Sequence, residues 1–417
     1  MIPEIKLLFK QRVVWLIIVL SSLITYLSLQ NGWQNIAHIR NEIQHAQHDE
    51  HVRKQTQMKT STLHGDAGEI GYYVFHNVYH HPTEWSFIAL GNRVVTPYVQ
   101  RIRLLGLQGQ LYDGESHHPE YVMLGSFDYA FWLIFFAPLI CIAFMHDLKA
   151  SEHQSQRLVF LQSLLISPSK FWYKRVLVRC SIVSISLCFP LIIFSLLHGL
   201  SLLPLLTVLC VTISYILFWT LVCSVVSLRT SALNSSFNAM VLASLWIIIC
   251  LVLPNFAQAW IHTQYPVQEG SAIALQHRQL VHSAWDLPKE DILKPFYKLY
   301  PQWQDSSPVE GRFHWKWYYA FQHMADVQLN PYVEVREQAL LNRNIASNNM
   351  AIMLPSLGVQ KELEEVAESN ISHLIRYRNQ VSKFHTELRH YIYPYLFNEV
   401  PFHEEDFKNM PLFRYSK

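Results

Sequence analysis

The chain has 417 residues, of which 51% are hydrophobic and 15% are charged, and its formal net charge is +2. A charge balance without a basic excess argues against a nucleic-acid-binding protein. The charges are unevenly placed, because five long apolar stretches contain no Asp, Glu, Lys or Arg. A soluble protein could bury one such stretch, but five of them indicate an α-helical polytopic membrane protein.

The apolar stretches predict five spans and leave two large polar insertions. Residues 1–12 place apolar side chains on one side of a helix, which predicts a cytoplasmic amphipathic helix lying in the membrane surface. No small-residue cleavage pattern follows the first stretch, so we interpret it as an uncleaved anchor. The predicted spans are residues 13–29, 129–145, 180–197, 202–228 and 239–260.

The distribution of Lys and Arg predicts the orientation of these spans. Basic residues concentrate in residues 1–12 and 146–179, and such segments normally stay in the cytoplasm. Residues 30–128 and 261–417 then form two extracytoplasmic insertions, which we expect to be mainly helical. All six cysteines fall inside the spans, so disulfides cannot stabilise the insertions.

The chain carries no recognisable energy source of its own. It lacks the G-x-x-x-x-G-K-[ST] loop that would hold a nucleotide, and we therefore expect it neither to bind nor to hydrolyse ATP. The spans also lack the buried ionisable residues that serve proton-coupled transporters as relays. Work by this protein would require a partner, and the sequence offers no catalytic residue, cofactor site or metal site of its own.

Residues 146–179 form the only sizeable predicted cytoplasmic loop and are the expected contact for that partner. Leu158, Leu161, Leu164 and Leu165 form an apolar stripe at helical spacing in a polar surrounding. An amphipathic helix of this kind can occupy a groove in another protein. The alternative is a helix that rests on the bilayer.

This loop resembles the coupling loop of ABC-2 type permeases, in the branch that includes the permease of nitrous-oxide-reductase maturation systems. The resemblance rests on 125–128, on Ala137-Pro138-Leu139 in the second span, and on Glu152, Leu158, Leu164-Leu165, Pro168 and Lys174. In that family a Gly-Thr-Leu typically follows the glutamate, and those positions here are Gln156, Arg157 and Leu158.

The resemblance implies a permease subunit in the bacterial inner membrane. It implies an ABC ATPase partner that binds ATP and Mg²⁺, and a second permease chain, identical or related, in the surrounding lipid. Cargo would be exported or extracted. The residues implied at the ATPase interface are Glu152, Arg157, Leu158, Leu161 and Pro168.

The tail is similar to the end of an outer domain of unknown function found in a bacterial ABC-2 branch. The similar residues are 391–394, continuing to Phe407, and 410–415, together with 80–91 and 97–98 of the first insertion. The family normally has six spans, yet nothing after residue 260 is long and apolar enough to be the sixth. Either this chain has five spans or another chain supplies the last.

The insertions have their own predicted elements. Residues 34–64 lack Pro and Gly, which predicts that the first helix continues outward as a stalk until Gly65, Gly68 and Gly71 stop it. Residues 72–78 and 85–90 are predicted strands. Residues 359–391 carry apolar side chains three or four apart, which predicts one long helix.

Histidines and aromatic residues allow other interpretations. The chain has 22 histidines, including doublets at 80–81 and 117–118 and a run at His45, His48 and His51. A rival hypothesis is periplasmic metal handling or metalloenzyme maturation, and a third is a mechanical transmitter that moves the outer domains. The aromatic run at 313–321 could be a cargo-binding wall or a membrane-interface belt.

Overall fold

The computed structural model describes residues 2–61, 65–113, 127–164, 167–229 and 234–415. The described chain is mostly helical, with five helices long and apolar enough to cross a membrane. These spans are α2 (Arg12–Ser61), α5 (Tyr129–Met145), α8 (Pro168–Leu197), α9 (Leu202–Arg229) and a fifth made of α10 (Ser235–Ile247), a π-helical turn (Ile248–Val252) and α11 (Leu253–Gln264).

Shorter elements connect and follow the spans. Two strands, β1 (His76–Tyr79) and β2 (Val99–Ile102), pair antiparallel with His76 opposite Ile102. The other helices before the third span are α1 (Ile2–Phe9), α3 (Ala67–Tyr73), α4 (Leu107–Tyr112), α6 (Ala150–Gln154) and α7 (Leu158–Leu164). Those after the fifth are α12 (Gly270–Ser283), α13 (Lys289–Leu299), α14 (Trp315–Ala351), α15 (Pro355–Val366), α16 (Ile371–Asn398) and α17 (Glu404–Lys408).

The five predicted spans are confirmed as helices, and the third is longer than its apolar stretch. α8 begins at Pro168, because proline has no amide hydrogen to leave unpaired and its fixed φ suits the first helical position. The helix ends at a tight turn in which Gly199 has φ 62°. The amides of Gly199 and Leu200 donate to the carbonyls of Leu196 and Ser195, at 3.3 and 3.0 Å, in the pattern of a Schellman motif.

The second span is the centre of the bundle. In its most apolar window 67% of the residues are buried, against 17% in the fifth span. The hydroxyls of Tyr129 and Thr212 lie 2.7 Å apart, and Tyr215 donates to the carbonyl of Ile134 at 2.9 Å. The fifth span leaves most of its apolar surface for lipid or another chain to cover.

The first insertion begins as predicted and then departs from the prediction. α2 is one helix of 50 residues, about 75 Å long at 1.5 Å per residue, so the predicted stalk is confirmed as a continuous helix. The prediction about the three glycines is partly wrong: Gly65 has φ 61°, but Gly68 and Gly71 lie inside α3.

The first of the two predicted strands is confirmed only in part, and the second is wrong. β1 overlaps the predicted strand 72–78 at residues 76–78, whereas residues 72–73 belong to α3. Residues 85–90 contain no strand and turn at 85–88, and the partner of β1 is β2. Residues 85–90 are all buried, so they lack the alternation of a half-buried strand. They pack against the spans instead. A Cβ at Gly32 would lie 2.1 Å from the carbonyl oxygen of Phe87, so this approach requires glycine.

The second insertion does not contain the single long helix predicted for residues 359–391. The helix stops after Val366 and restarts at Ile371, because Glu368 takes the left-handed conformation (φ 50°) and Asn370 caps the next helix by accepting from the amide of His373 at 3.1 Å. The restarted helix continues through Pro394 to Asn398.

Both insertions lie at the same end of the bundle and contact each other. Ser86 donates to the carbonyl of Ala367 at 2.9 Å, and the amide of Asn92 donates to the carbonyl of Ser369 at 3.1 Å. Because successive spans run in opposite directions, the segment between α5 and α8 lies at the other end.

The two insertions form a second hydrophobic core that is rich in aromatic residues. We call this part of the chain the outer domain, because the sequence predicts that both insertions lie outside the cytoplasm. Trp317, Tyr319 and Phe321 are buried there with Phe296 and Tyr393. These three rings of the run at 313–321 therefore contribute to packing rather than to an exposed cargo wall or an interface belt.

Candidate coupling site and outer cavity

Glu152 on α6 lies at the centre of a buried ion-pair cluster. Its carboxylate oxygens contact Nη2 of Arg175 at 3.0 Å and Nε of Arg157 at 3.2 Å. Arg175 also pairs with Glu4 of α1 at 2.7 Å and donates to the carbonyl of Leu148 at 3.0 Å. Both Glu152 and Arg175 are more than 90% buried. One arginine therefore joins the loop, the third span and the N-terminal helix.

The same loop contacts the fourth and fifth spans. Gln154 donates to the side chain of Asn234, the N-cap of α10, at 2.7 Å. Asn238 donates to the carbonyl of His146 at 3.2 Å, and Lys149 lies 3.4 Å from the carbonyl oxygen of Leu228. A displacement of α6 would thus reach three spans.

A left-handed residue ends α6 and turns the chain into α7. Gln156 has φ 57°, a conformation that glycine adopts most easily. The amides of Gln156 and Arg157 donate to the carbonyls of His153 and Glu152, both at 3.0 Å, which completes a Schellman motif. In the resemblance to ABC-2 permeases described above, Gln156 stands where those proteins typically have glycine.

The structure distributes the leucine stripe of α7 differently from the prediction. Leu158 is buried and Leu161 is half-buried, so neither offers a large free surface. Val159 and Phe160 are instead 77% and 65% exposed. The sequence did contain a signal for this exposure. Leu158, Val159 and Phe160 are successive apolar residues, which cannot all lie on one face of a helix, but the leucine spacing led to the prediction that the leucines form the contact.

The remaining predicted site residues take different positions. Arg157 is mostly exposed beside Glu152. Pro168 is the first residue of α8, and its side chain is not among those that the structure describes. The side chain of Leu164 and the whole of Leu165 also lie outside the described residues. The structure thus brings together Glu152 and Arg157 and adds Arg175 and Glu4, which sequence reasoning missed.

A cavity of about 550 Å³ lies toward the other end of the bundle, between the second span, the fifth span and α15. One part of its wall is apolar and includes Phe131, Ile134 and Leu251. The other part is polar and includes Asn92, Asp128, Asn255, Gln258, His262, Gln360 and Glu364. A mixed lining of this kind suits an amphipathic ligand.

Two carboxyl groups of this cavity have altered acidity. Burial raises the pKa of Glu364, although Lys361 and a hydrogen bond from Gln360 at 2.9 Å oppose the shift. Burial raises the pKa of Asp128 to about 6, while the amides of Phe131 and Leu90, each at 2.9 Å, favour its charged form. Asp128 therefore acts mainly as the N-cap of α5.

A helical hairpin from the second insertion forms one wall of this cavity. Ser356, at the start of α15, donates to the carbonyl of Ile249 in the π-helical turn of the fifth span at 3.0 Å. Leu363 of α15 is fully buried in the core that the spans share. Between α14 and α15, Ile352 and Met353 are 86% and 84% exposed. The hairpin thus reaches the middle of the fifth span.

The α15 arm of this hairpin is too short to be a sixth span. α15 has 12 residues and a length of about 18 Å, against about 30 Å of hydrocarbon. The segment at 391–402, the best remnant of a span in the sequence, is instead part of the outer domain, where Tyr393 and Phe397 are fully buried.

Of the histidines singled out in the sequence, those that the structure describes lie at the surface or in the core. His45, His48 and His51 are exposed along α2, whereas His80 is buried and stacks on Tyr377 with ring centres 4.5 Å apart. Within the described part of the chain, no three His, Cys, Asp or Glu side chains converge as a metal site would require. The doublet at 117–118 lies outside the described residues.

Residues 269–416 match a domain of unknown function, DUF3526. The match begins after the fifth span and includes α15, so the matched domain comprises both the aromatic outer core and the hairpin against the spans. Its description assigns no activity. No curated protein and no solved structure matches the chain.

Proposed function

We propose that this chain is the permease subunit of an ATP-driven ABC transporter in the bacterial inner membrane, which exports or extracts a cargo. An ABC ATPase would bind ATP and Mg²⁺ and contact the loop between α5 and α8. A second permease chain, identical or related, would complete the path. The two insertions would lie outside the cytoplasm.

The observation that carries this proposal is the Glu152 cluster together with the exposed residues of α7. Force applied to Val159 and Phe160 would pass through a short helix and a tight turn to Glu152. Buried ion pairs then connect Glu152 to Arg175 of α8, and Arg175 to Glu4 of α1. Buried ion pairs transmit displacement because neither charge can be left without its partner at low cost.

The turn at Gln156 gives independent support to the resemblance. A family glycine at this position is explained by the left-handed conformation that the residue takes here. The departure from the family sequence therefore leaves the backbone of the coupling loop compatible with the family pattern. The match of the second insertion to DUF3526 falls on the same tail that resembles the outer domain of one ABC-2 branch.

Cross-linking in living cells tests the ATPase contact. A photo-reactive benzoylphenylalanine in place of Phe160 should form an adduct with a protein that contains a phosphate-binding loop, identified by mass spectrometry. The same group in place of Tyr332, exposed on α14 in the outer domain, is the matched control and should not. Adducts at Phe160 that contain only lipid or proteins without a nucleotide site would overturn the proposal.

A second measurement concerns the chain alone. Purified without partners, it should show no saturable binding of a fluorescent ATP analogue, because its sequence has no phosphate-binding loop. Saturable binding that unlabelled ATP displaces would contradict the proposal that a separate subunit binds the ATP.

A further inference from the structure

A groove of about 1050 Å³ runs between α8 and α9 at the end of the bundle that carries the coupling loop. Its volume lies just above the range of about 300–1,000 Å³ for small-molecule pockets. The walls include Val176, Leu177 and Ile185 of α8 and Leu217 and Leu221 of α9. Ile185, Leu217 and Leu221 are more than half exposed, so the groove opens sideways from the bundle.

The mouth of the groove is basic. Lys149 lines it, and no Asp or Glu is among the lining residues. Lys170 and Lys174 are exposed on the first turns of α8, beside Trp172 and Tyr173, which line the groove. The mouth also lies at the N-terminus of a 30-residue helix, where unpaired amides favour an anion.

The acids near this mouth already have partners. Glu152 is paired with Arg157 and Arg175, and Asp147 is paired with Arg179 at 2.7 Å. They therefore leave the charge of Lys149 available to a ligand.

Two hydroxyl groups in the wall have unused hydrogen-bonding capacity. Thr220 is 94% buried, and neither its Oγ1 nor the Oγ of Ser224 has a hydrogen-bond partner in the described structure. Elsewhere on α9, Thr207 and Thr212 donate to the carbonyl four residues earlier, at 3.2 and 2.8 Å, as threonines in helices commonly do. A buried hydroxyl without a partner is costly, so Thr220 points to a ligand oxygen.

The spacing of these groups follows the shape of a phospholipid. Lys149 is level with Leu228 of α9, because its ammonium group lies against the carbonyl oxygen of that residue. Ser224 and Thr220 lie one and two turns before Leu228 on the same helix, and are therefore about 6 and 12 Å deeper in the groove. A phosphate at Lys149 would place the glycerol ester oxygens near these hydroxyls. The acyl chains would then continue along Leu221, Leu217 and Ile185.

We propose that this groove binds an anionic glycerophospholipid, with its phosphate at Lys149, its ester oxygens at Ser224 and Thr220, and its chains against α8 and α9. Basic grooves between spans on the cytoplasmic side are known to suit such headgroups. The bound lipid would cover the side of the bundle next to the coupling loop. This inference depends on the groove and not on the ATPase, so it can stand if the transporter proposal fails.

Native mass spectrometry of the full chain in detergent tests the proposal, with dioleoyl-phosphatidylglycerol and dioleoyl-phosphatidylcholine as equimolar competing probes. The wild type should retain the anionic lipid about fivefold more than the zwitterionic lipid, the preference expected from one basic residue near a charged headgroup. Lys149→Gln should abolish this preference and Lys149→Arg should keep it. Lys383→Gln, an exposed lysine of the outer domain, is the control and should behave as wild type.

The hydroxyl contacts are tested separately. Thr220→Val with Ser224→Ala should reduce retention of both lipids while leaving the headgroup preference, whereas Thr207→Val should change neither. Equal retention of the two lipids by the wild type, or an unchanged preference in Lys149→Gln, would overturn the proposal. The proposal would also be overturned if the dimer of the chain carried no lipid while the monomer did, because a second copy of the chain would then occupy the groove.

Discussion

Arg389 donates a hydrogen bond to Asp326 across 2.6 Å at the centre of the outer domain, and both side chains are more than 90% buried. The same carboxylate accepts from the amides of Leu107 and Gln108 at 2.8 and 3.0 Å. It therefore joins α14 to α16 and caps α4 of the first insertion. Burial alone would raise the pKa of Asp326, but Arg389 and His277 hold it below its usual range.

Asp326→Asn should destabilise the outer domain by about 3–5 kcal/mol, because it leaves the buried charge of Arg389 without its partner. Thermal unfolding of the purified chain in detergent, followed by tryptophan fluorescence, measures the change. Asp305→Asn, at an exposed position, is the matched control and should shift the midpoint little. Equal midpoints for the two variants would show that this ion pair does not hold the insertions together.

Buried histidines should make the outer domain sensitive to mild acid. Burial lowers the pKa of His76, His80, His323 and His385 to about 3 each. These residues are neutral when folded, whereas the unfolded chain takes up protons below about pH 6.5. Stability is therefore full above pH 6.5 and lost as the pH falls from 6.5 toward 3, by at most about 1.4 kcal/mol per histidine per pH unit.

Unfolding midpoints at pH 7.5, 6.5, 5.5 and 4.5 measure this effect. His80→Phe should make the decline shallower, since phenylalanine keeps the stacking on Tyr377 and does not titrate, and His80 Nε2 has no hydrogen-bond partner in the described structure. His48→Gln, at an exposed position on α2, should leave the profile unchanged. A flat profile between pH 7.5 and 4.5 would contradict the assignment.

The spans were predictable because length and apolarity act locally, and the stalk was predictable because residues 34–64 lack Pro and Gly. The break at residues 367–370 was not, since Glu368 has no sequence signal for a left-handed conformation and the apolar spacing continues across it. Leu158 and Phe160 show the same limit at the candidate site. Leu158 is buried and Phe160 is exposed because of the way α7 packs against its neighbours, which the spacing of apolar residues does not show.

The partners of Glu152 also depended on tertiary structure. Arg175 follows it by a short distance in sequence, but Glu4 comes from the other end of the chain and reaches the cluster only because α1 packs beside α8. The α15 hairpin was missed because its apolar face is too short to be a span. The sequence could not reveal that Ser356 bonds the fifth span.

Gln156→Gly should stabilise the coupling loop by about 1 kcal/mol, because glycine takes the left-handed conformation without the strain of a side chain. Glu368→Gly is a parallel case in the outer domain, where Glu368 has φ 50°. Gly199→Gln is the reverse change at φ 62° and should destabilise by a similar amount. Midpoints of thermal unfolding measure all three, and stabilisation by Gly199→Gln would refute the backbone argument.

If the proposed ATPase contact is correct, Phe160→Glu should reduce recovery of that ATPase with the chain by about tenfold or more while leaving the amount of folded chain unchanged. The reason is that Phe160 is exposed in the free chain, so a charge there is costly only in a complex. Leu158→Glu should instead lower the amount of folded chain, because Leu158 is buried. Affinity purification from membranes with size-exclusion chromatography measures both quantities. Full recovery of the ATPase with Phe160→Glu would place the contact elsewhere.

The last prediction concerns which side of the membrane carries the outer domain. The contacts between Ser86 and Ala367 place the two insertions together, so one reporter decides the side of both. The basic residues near the other end of the bundle predict that Lys417 is extracytoplasmic. Alkaline phosphatase fused after Lys417 should be active, and a fluorescent protein that matures only in the cytoplasm should stay dark. A second pair of fusions at 230–233, between the fourth and fifth spans, should give the opposite readings. If the two sites report the same side, the fifth span does not cross, whereas exchanged readings would mean that the whole bundle is inverted and that Glu152 faces away from any cytoplasmic ATPase.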